Sequence, residues 1–298
     1  MAQSPSSLPC EHDPSKEVTL RVGIVQSDPQ LGEVEGNLGR CLARLDEAAA
    51  AGCSLVVFPE CALSGYVFAD AEAATRAAVK VSGPETDALG ETCARLGIHC
   101  VVGLLELDGA QLRNTAVLLG PGGILGRYRK SHIACIGVDC WTTPGDDEYE
   151  VFETPIGRIG LQICYDWRFP EVTRVLALSG ADIVAHPTNS PVAARDLADF
   201  VPRARATENA VYFLMANRVG TEAGTTFFGR SQIVDPLGNV LAVADDAHAS
   251  LIVAEVDVEL ARRKTKEPGD GGYAVRLFAD RRPELYGPVT AEIPAGGR

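Results

Sequence analysis

Three reactive side chains follow apolar, strand-like runs at separate places in the sequence, and these are Glu60, Lys130 and Cys164. The helix after Cys164 is predicted to begin only at Pro170, because proline favours the first position of a helix. The thiol is therefore expected at the edge of a sheet. An acid, an ammonium group and a thiol at the ends of separate strands have the composition of a site for covalent catalysis at a carbonyl.

The chemistry of these residue types gives each a different task. A cysteine attacks a carbonyl only as the thiolate, and an unperturbed thiol is mostly protonated at neutral pH, so a base must take its proton. Glu60 has apolar neighbours, which raise the pKa of a carboxyl group toward the range in which it can accept and return a proton. Lys130 would stabilise the thiolate and the oxyanion of a tetrahedral intermediate, with the backbone N–H of Tyr165 as the second oxyanion donor.

Each of the three residues also has an ordinary structural explanation. A cysteine at a strand end is commonly a small core residue, and a glutamate after a strand is commonly a loop acid or a helix cap. Lys130 lies beside two arginines, as surface lysines do. Only their occurrence together favours catalysis. An alternative also stays open: a cysteine–histidine hydrolase in which His132 or His186 activates Cys164.

The charge of the sequence argues against nucleic acid and membrane partners. Forty acidic and 27 basic residues give a formal net charge of -13, which would repel a phosphate backbone and an anionic membrane surface. No run of residues has the length of a membrane span. The start of the chain also lacks the basic and apolar regions of a signal peptide.

Nine cysteines, an odd number, are scattered through apolar segments. This usage indicates free thiols and predicts a reducing compartment, the cytoplasm. A zinc site is an alternative use of cysteines and histidines, but the sequence contains no Cys-x-x-Cys. The nearest pairs are Cys135 with Cys140 and Cys93 with Cys100, so we expect no metal.

Strand-like and helix-like segments alternate along most of the chain, which predicts one α/β domain at residues 18–258. The predicted elements include a helix at residues 36–51, with Leu38, Leu42 and Leu45 on one face, a helix at 193–209 and a strand at 226–234. Residues 1–17 are rich in serine and proline and predict a disordered N-terminal tail. Residues 259–298 are rich in arginine, proline and glycine and lack a continuous apolar face, so they are predicted to form an arm on a neighbouring element or on a partner subunit. The glycine-rich stretch 120–126 has no helix after it and predicts a hairpin turn instead of a phosphate loop.

Segments around the three reactive residues resemble the signature blocks of the nitrilase superfamily, the carbon–nitrogen hydrolases. The resemblance covers about residues 18–256, and the order and spacing of the blocks agree with it. The blocks are Phe58-Pro59-Glu60 with Ser64-Gly65-Tyr66, Tyr128 to Ile133, Ile163 to Glu171, Pro187-Thr188-Asn189, and Arg203 to Asn209.

The resemblance implies a function and a fold. Glu60 would be the general base, Lys130 the stabilising cation and Cys164 the nucleophile that forms a thioester with a small amide or N-carbamoyl compound, releasing ammonia or an amine. Hydrolysis of a nitrile by the same residues, or a catalytically silent binding protein, remain alternatives. The fold would be a four-layer αββα sandwich without cofactor, in a homodimer or higher homo-oligomer whose C-terminal arm contacts the partner.

The sequence departs from the family pattern at one position. Many members carry a second glutamate between the lysine and the Pro-Gly turn, and here Asp139 is the only acid in that interval. We expect Asp139 to replace it as a fourth site residue; an exposed loop acid is the alternative. Further candidates for substrate binding, which could equally be ordinary packing or pairing residues, are Tyr66, Trp141, Trp167, Arg168 and Asn189.

Overall fold

The first strand, β1 (Thr19–Gln26), shows how the apolar pattern of the sequence builds layers. Successive side chains of a strand point to opposite faces. Val22 and Ile24 pack into a cluster between two sheets, whereas Val25 packs into a second cluster beneath helices on the other face. Both faces of the strand are buried, as expected for a strand in the middle of a sheet covered by helices.

The computed structural model describes residues 19–266 and 272–291. After β1, the strands of the two sheets are β2 (Leu55–Val57), β3 (His99–Asp108), β4 (Gln111–Gly120), β5 (Gly123–Arg129), β6 (Val151–Thr154), β7 (Gly157–Leu161), β8 (Ile183–Thr188), β9 (Tyr212–Asn217), β10 (Gln232–Val234), β11 (Val240–Val243) and β12 (Ser250–Asp257). The helices are α1 (Val34–Ala50), α2 (Ala71–Ala77), α3 (Pro84–Leu96), α4 (Pro170–Leu178), α5 (Val201–Asn209), α6 (Val258–Arg262) and α7 (Gly287–Thr290).

The two sheets have six strands each and pack face to face. The first has the order β12-β1-β2-β3-β4-β5 and the second β11-β10-β9-β8-β7-β6. Pairing is parallel within β1-β2-β3 and within β7-β8-β9, and antiparallel elsewhere. Helices α1 and α3 cover the outer face of the first sheet, and α4 and α5 cover that of the second. This is the predicted four-layer αββα sandwich, which is confirmed.

Two predicted elements are interrupted. The helix predicted over residues 193–209 is a 3-10 segment at Val192–Asp199 followed by α5, because Phe200 leaves the helical backbone region and Pro202 cannot donate a backbone hydrogen bond. The strand predicted over residues 226–234 is broken where Gly229 and Arg230 both take positive φ values, of 63° and 53°. Periodicity alone did not indicate either break.

The two ends of the chain lie partly outside the described residues. The predicted tail at 1–17 lies wholly outside them, as do residues 267–271 and 292–298 of the predicted arm. In the described part of the arm, Phe278 packs against the cluster that contains α4, and the cations of Arg174 and Lys264 lie 5.5 Å and 5.6 Å from its ring centre. No helix within the described ranges is long and apolar enough to cross a membrane.

Candidate active site

Glu60 and Lys130 meet as a fully buried ion pair at the ends of β2 and β5. Lys130 Nζ donates a hydrogen bond to Glu60 Oε1 at 2.8 Å, and neither side chain is exposed. Buried charges are stable only when they are paired and hydrogen-bonded. The close approach of the chain at Glu60 requires a glycine on β3, since a Cβ at Gly103 would lie 2.5 Å from the Glu60 Cα.

Asp139 adds a second carboxylate to the same ammonium group. It is buried in a short 3-10 turn, Gly137–Trp141, and its Oδ2 lies 2.5 Å from Lys130 Nζ. Asn114 on β4 joins the two acids, because its Nδ2 donates to Glu60 Oε1 at 2.6 Å and to Asp139 Oδ1 at 2.7 Å. One lysine and one amide therefore hold both carboxylates.

Asn189 fixes the other oxygen of Glu60. Its backbone N–H donates to Glu60 Oε2 at 2.7 Å, and its side-chain Nδ2 donates to the Glu60 carbonyl at 2.8 Å. Asn189 directly follows β8, the neighbour of the strand that leads to Cys164. Its Oδ1 is buried and has no hydrogen-bond partner in the described chain. Asn189 was predicted to bind substrate, and in the structure it holds Glu60 in place through these two hydrogen bonds.

Cys164 lies at a sharp turn between β7 and α4. Its φ of 42° is in the left-handed region, which costs energy for a residue with a side chain, and it opens the 3-10 turn Cys164–Arg168. Asp166 holds this turn: its Oδ2 accepts from the Ile163 N–H and from the Tyr128 hydroxyl, both at 2.8 Å. The thiol is thereby held at the end of the strand, with 9% of the residue exposed.

Burial is the largest influence on the pKa of each of the three groups. It raises the pKa of the Cys164 thiol to about 12; the Glu60 charge raises it too and the Lys130 charge opposes this. It also raises the pKa of Glu60, although Lys130 acts in the opposite direction. For Lys130, burial alone would lower the pKa, but the carboxylates of Glu60 and Asp139 hold it well above its ordinary range. The resting site therefore has a protonated thiol and a charged lysine.

Comparison with known proteins identifies the family. The sequence profile described as carbon-nitrogen hydrolase matches residues 21–266. The chain belongs to this family. It is 38% identical over 271 residues to a nitrilase of Pyrococcus abyssi (strain GE5 / Orsay), covering 90% of this chain and 99% of that protein. It is also 30% identical to an N-carbamoylputrescine amidase of Arabidopsis thaliana, covering 85% of this chain and 90% of that protein.

A solved structure agrees with the same family. It is a mutant of the amidase from Nesterenkonia sp. AN1, with a TM-score of 0.74 and 25% identity, covering 90% of this chain and 98% of that one. That structure shows the result of Michael addition of acrylamide at the active site cysteine. The resemblance to the nitrilase superfamily that the sequence motifs indicated is confirmed.

The remaining predicted site residues of this carbon–nitrogen hydrolase lie in different surroundings. Tyr66 is fully buried, and its hydroxyl has no hydrogen-bond partner in the described chain. Trp167 lies in the cluster between the second sheet and its helices, so its contacts are those of core packing. Trp141 is 42% exposed beside the turn that holds Asp139. Arg168 is exposed and forms no ion pair with any described residue, including Glu171.

Neither candidate histidine of this hydrolase is bonded to Cys164. His132 Nδ1 lies 2.8 Å from Asp166 Oδ1, and its ring stacks on Phe169 at 3.8 Å. His186 is buried, and burial lowers its pKa to about 3, so it is neutral at physiological pH. The His186 ring stacks with Trp167, with ring centres 5.6 Å apart. Across residues 19–266 and 272–291, no three histidine, cysteine or acidic side chains form a group that could hold a metal.

Two residues that support the candidate site, Asn114 and Asp166, are not among the residues predicted from the sequence. Asn114 is a buried polar residue of β4, but Arg113 and Thr115 on either side of it are also buried and polar, so its residue type does not single it out. Asp166 lies two residues after Cys164, where its side chain caps the turn. Neither residue's partner could be inferred from spacing alone.

Proposed function

We propose that this carbon–nitrogen hydrolase cleaves a small, non-peptide amide or N-carbamoyl compound through a thioester on Cys164. The observation that carries the proposal is the buried Glu60–Lys130 pair, held by Asp139, whose charges act on the Cys164 thiol. In this proposal the pair supplies the base and the cation, and Cys164 supplies the nucleophile. A structural core would not require two buried carboxylates on one lysine, because burying charge is costly.

The first chemical step joins proton transfer to attack. Because the pKa of the thiol is raised to about 12, a free thiolate would be scarce, and Glu60 takes the proton as the sulfur bonds to the carbonyl carbon. Lys130 Nζ and the Tyr165 N–H stabilise the oxyanion. Glu60 then protonates the leaving nitrogen, and the C–N bond breaks to give the thioester and ammonia or an amine.

The second half of the reaction uses the same base. Glu60 takes a proton from water, the hydroxyl adds to the thioester carbonyl, and the thiol leaves with the returned proton as the acid product forms. Asp139 has the same task in both halves of the reaction, which is to keep Lys130 charged. When Glu60 is protonated, the Asp139 carboxylate at 2.5 Å still pairs with the Lys130 charge, so the ammonium remains an oxyanion donor.

Relatives support the proposed substrate class. One relative is named for action on an N-carbamoyl amine, and the amidase neighbour carries an acrylamide adduct on its active site cysteine. A nitrile is the second candidate, because the relative with 38% identity is named a nitrilase. Attack of Cys164 on a nitrile would give a thioimidate, where attack on an amide gives the first tetrahedral intermediate. The base and the cation would be the same.

The test is an ammonia-release assay on short amides, ω-amides, N-carbamoyl amino acids and nitriles. We expect turnover of at least one amide or carbamoyl compound by the wild type and none by Cys164→Ala. Ammonia release that survives this substitution would refute the mechanism. Turnover of nitriles alone would establish the second candidate, and a folded protein without turnover of any class would favour a silent binding member.

We also propose a cytoplasmic homodimer. Free cysteines are typical of a reducing compartment, and apolar side chains are exposed on α4 (Val175, Leu178) and on the arm (Leu285, Val289). A cavity of about 970 Å³ separates α4 from the arm. A partner subunit that covers this face would bury these side chains, which supports a place for the arm, residues 259–298, at the interface beside the catalytic domain at 18–258.

A further inference from the structure

Cys135 and Cys140 form an exposed pair of thiols on the loop that carries Asp139. Their Sγ atoms are 3.3 Å apart, and both residues are exposed. Asp139 lies between them in sequence, immediately before Cys140. We propose that Cys135 and Cys140 are an oxidation site, and that a reversible disulfide between them lowers hydrolase activity by displacing Asp139 from Lys130.

The geometry of the loop connects the disulfide to the site. A disulfide bond is about 2.0 Å long, so the two sulfurs must approach by about 1.3 Å from their present separation. The short turn between them must absorb this movement, and Asp139 lies in that turn. The Asp139 carboxylate accepts hydrogen bonds from Lys130 and Asn114 at 2.5 Å and 2.7 Å, and a shift of the turn would lengthen or break them. Misplacement by about 1 Å can cost about a hundredfold in rate.

Among the cysteines of residues 19–266 and 272–291, Cys135 and Cys140 alone are exposed. Cys93 and Cys100 are almost as close, with Sγ atoms 3.6 Å apart, but both are buried. Cys164 is also buried, and burial raises its pKa to about 12, so little of it is the reactive thiolate. Among the described cysteines, an oxidant in solution therefore meets Cys135 and Cys140 first.

The oxidation can be balanced with a hydroperoxide such as hydrogen peroxide. The two sulfurs face each other at 3.3 Å, so either thiol can react first, and the steps are the same in kind when the first is Cys135. Its thiolate attacks one peroxide oxygen, the O–O bond breaks, and a sulfenic acid and one water form. Cys140 then attacks that sulfur, the S–O bond breaks, and a second water leaves with the Cys140 proton. Two thiols lose two electrons, and the peroxide gains them.

The chain contains convenient reporters for this reaction. Trypsin releases residues 131–158 with Cys135 and Cys140 as their only cysteines, and residues 159–168 with Cys164 alone. A disulfide in the first peptide removes the mass of two hydrogens from it. Trp141 is next to Cys140 and 42% exposed, whereas the second tryptophan is buried. A disulfide quenches an adjacent indole, so Trp141 fluorescence should fall.

The experiment treats the reduced full-length protein with hydrogen peroxide and follows peptide mass, fluorescence and kcat/KM. We expect the disulfide in peptide 131–158, quenching that Trp141→Phe abolishes, and a ten- to hundredfold loss of kcat/KM, all reversed by dithiothreitol. The double variant Cys135→Ser/Cys140→Ser should begin with wild-type activity and keep it under peroxide.

Two results would overturn the proposal. One is an unchanged mass of peptide 131–158, and the other is inactivation of the double variant as fast as the wild type. The loss of activity rests on the proposed function, so the rate at which iodoacetamide labels Cys164 serves as a second readout. If no substrate is turned over, the proposed function fails, while mass, fluorescence and labelling still decide the oxidation site. An unchanged labelling rate after disulfide formation would then contradict the link to the catalytic residues.

Discussion

Replacement of Asn114 by alanine tests how the buried carboxylates are held. The Asn114 amide donates at 2.6 Å to Glu60 and at 2.7 Å to Asp139. Its bond to Glu60 favours the ionised form and therefore lowers the pKa of that carboxyl group. Removal of a donor from a buried charged acceptor costs about 1.5–3 kcal/mol, which corresponds to about a ten- to hundredfold loss of kcat/KM near neutral pH.

The pH profile separates this effect from simple damage to the fold. In the proposed mechanism, Glu60 must be ionised to take the thiol proton, and Asn114→Ala should raise its pKa by removing a hydrogen bond to the ionised form. The acid limb of kcat/KM against pH should therefore move to higher pH, with more activity lost at acid than at alkaline pH. Ammonia release from the best amide of the panel, measured across the pH range in which both proteins stay folded, gives this profile.

Asn37→Ala is the matched control. Asn37 is equally buried, and its Nδ2 also donates twice, but to the neutral carbonyl oxygens of Gln30 and Leu63. We expect this variant to lose stability and to keep the acid limb of the wild type. The reasoning is refuted if the Asn114→Ala limb stays in place, or if Asn37→Ala moves its limb as far.

Three further predictions concern the same site and the outer face. Asp139→Asn removes a negative charge that raises the pKa of Glu60, so its acid limb should move to lower pH, opposite to Asn114→Ala; a shift in the same direction would contradict the assigned charges. Cys164→Ala should reduce kcat by about a thousandfold or more while substrate still raises the melting temperature; substantial turnover would exclude a thioester. If the protein forms the proposed dimer, Val175→Glu should convert it to a monomer in light scattering, whereas Glu171→Gln on the same helix should not; a wild-type monomer would remove the basis for the interface.

Local patterns in the sequence predicted much of the fold. The helical spacing of Leu38, Leu42 and Leu45 predicted α1, and apolar runs predicted the central strands, because burial of one face imposes a period that neighbouring residues reveal. Helix α2 was not predicted, since its alanine-rich sequence has no clear apolar stripe. The breaks at Phe200 and Gly229 were missed because they depend on backbone angles that the apolar period does not encode.

The candidate residues Glu60, Lys130 and Cys164 could be selected from sequence because each follows a strand-like run and lies in a recognisable motif. Asp139 could be named as the only acid in its interval. Its contact with Lys130 depends on a tertiary feature, the packing of the 3-10 turn against Tyr66: a Cβ at Gly137 would lie 2.4 Å from the Tyr66 ring.

The sequence by itself determined the family, the layered fold and the reactive residue types. Only the tertiary structure decided how those residues are supported. Asn114 and Asn189 reach Glu60 from 54 and 129 residues away, and Tyr128 reaches Asp166 from 38 residues away. A residue type indicates that a side chain can donate or accept a hydrogen bond. Its partner, and the resulting shift in pKa, depend on which strands become neighbours and exclude water once the whole core has formed.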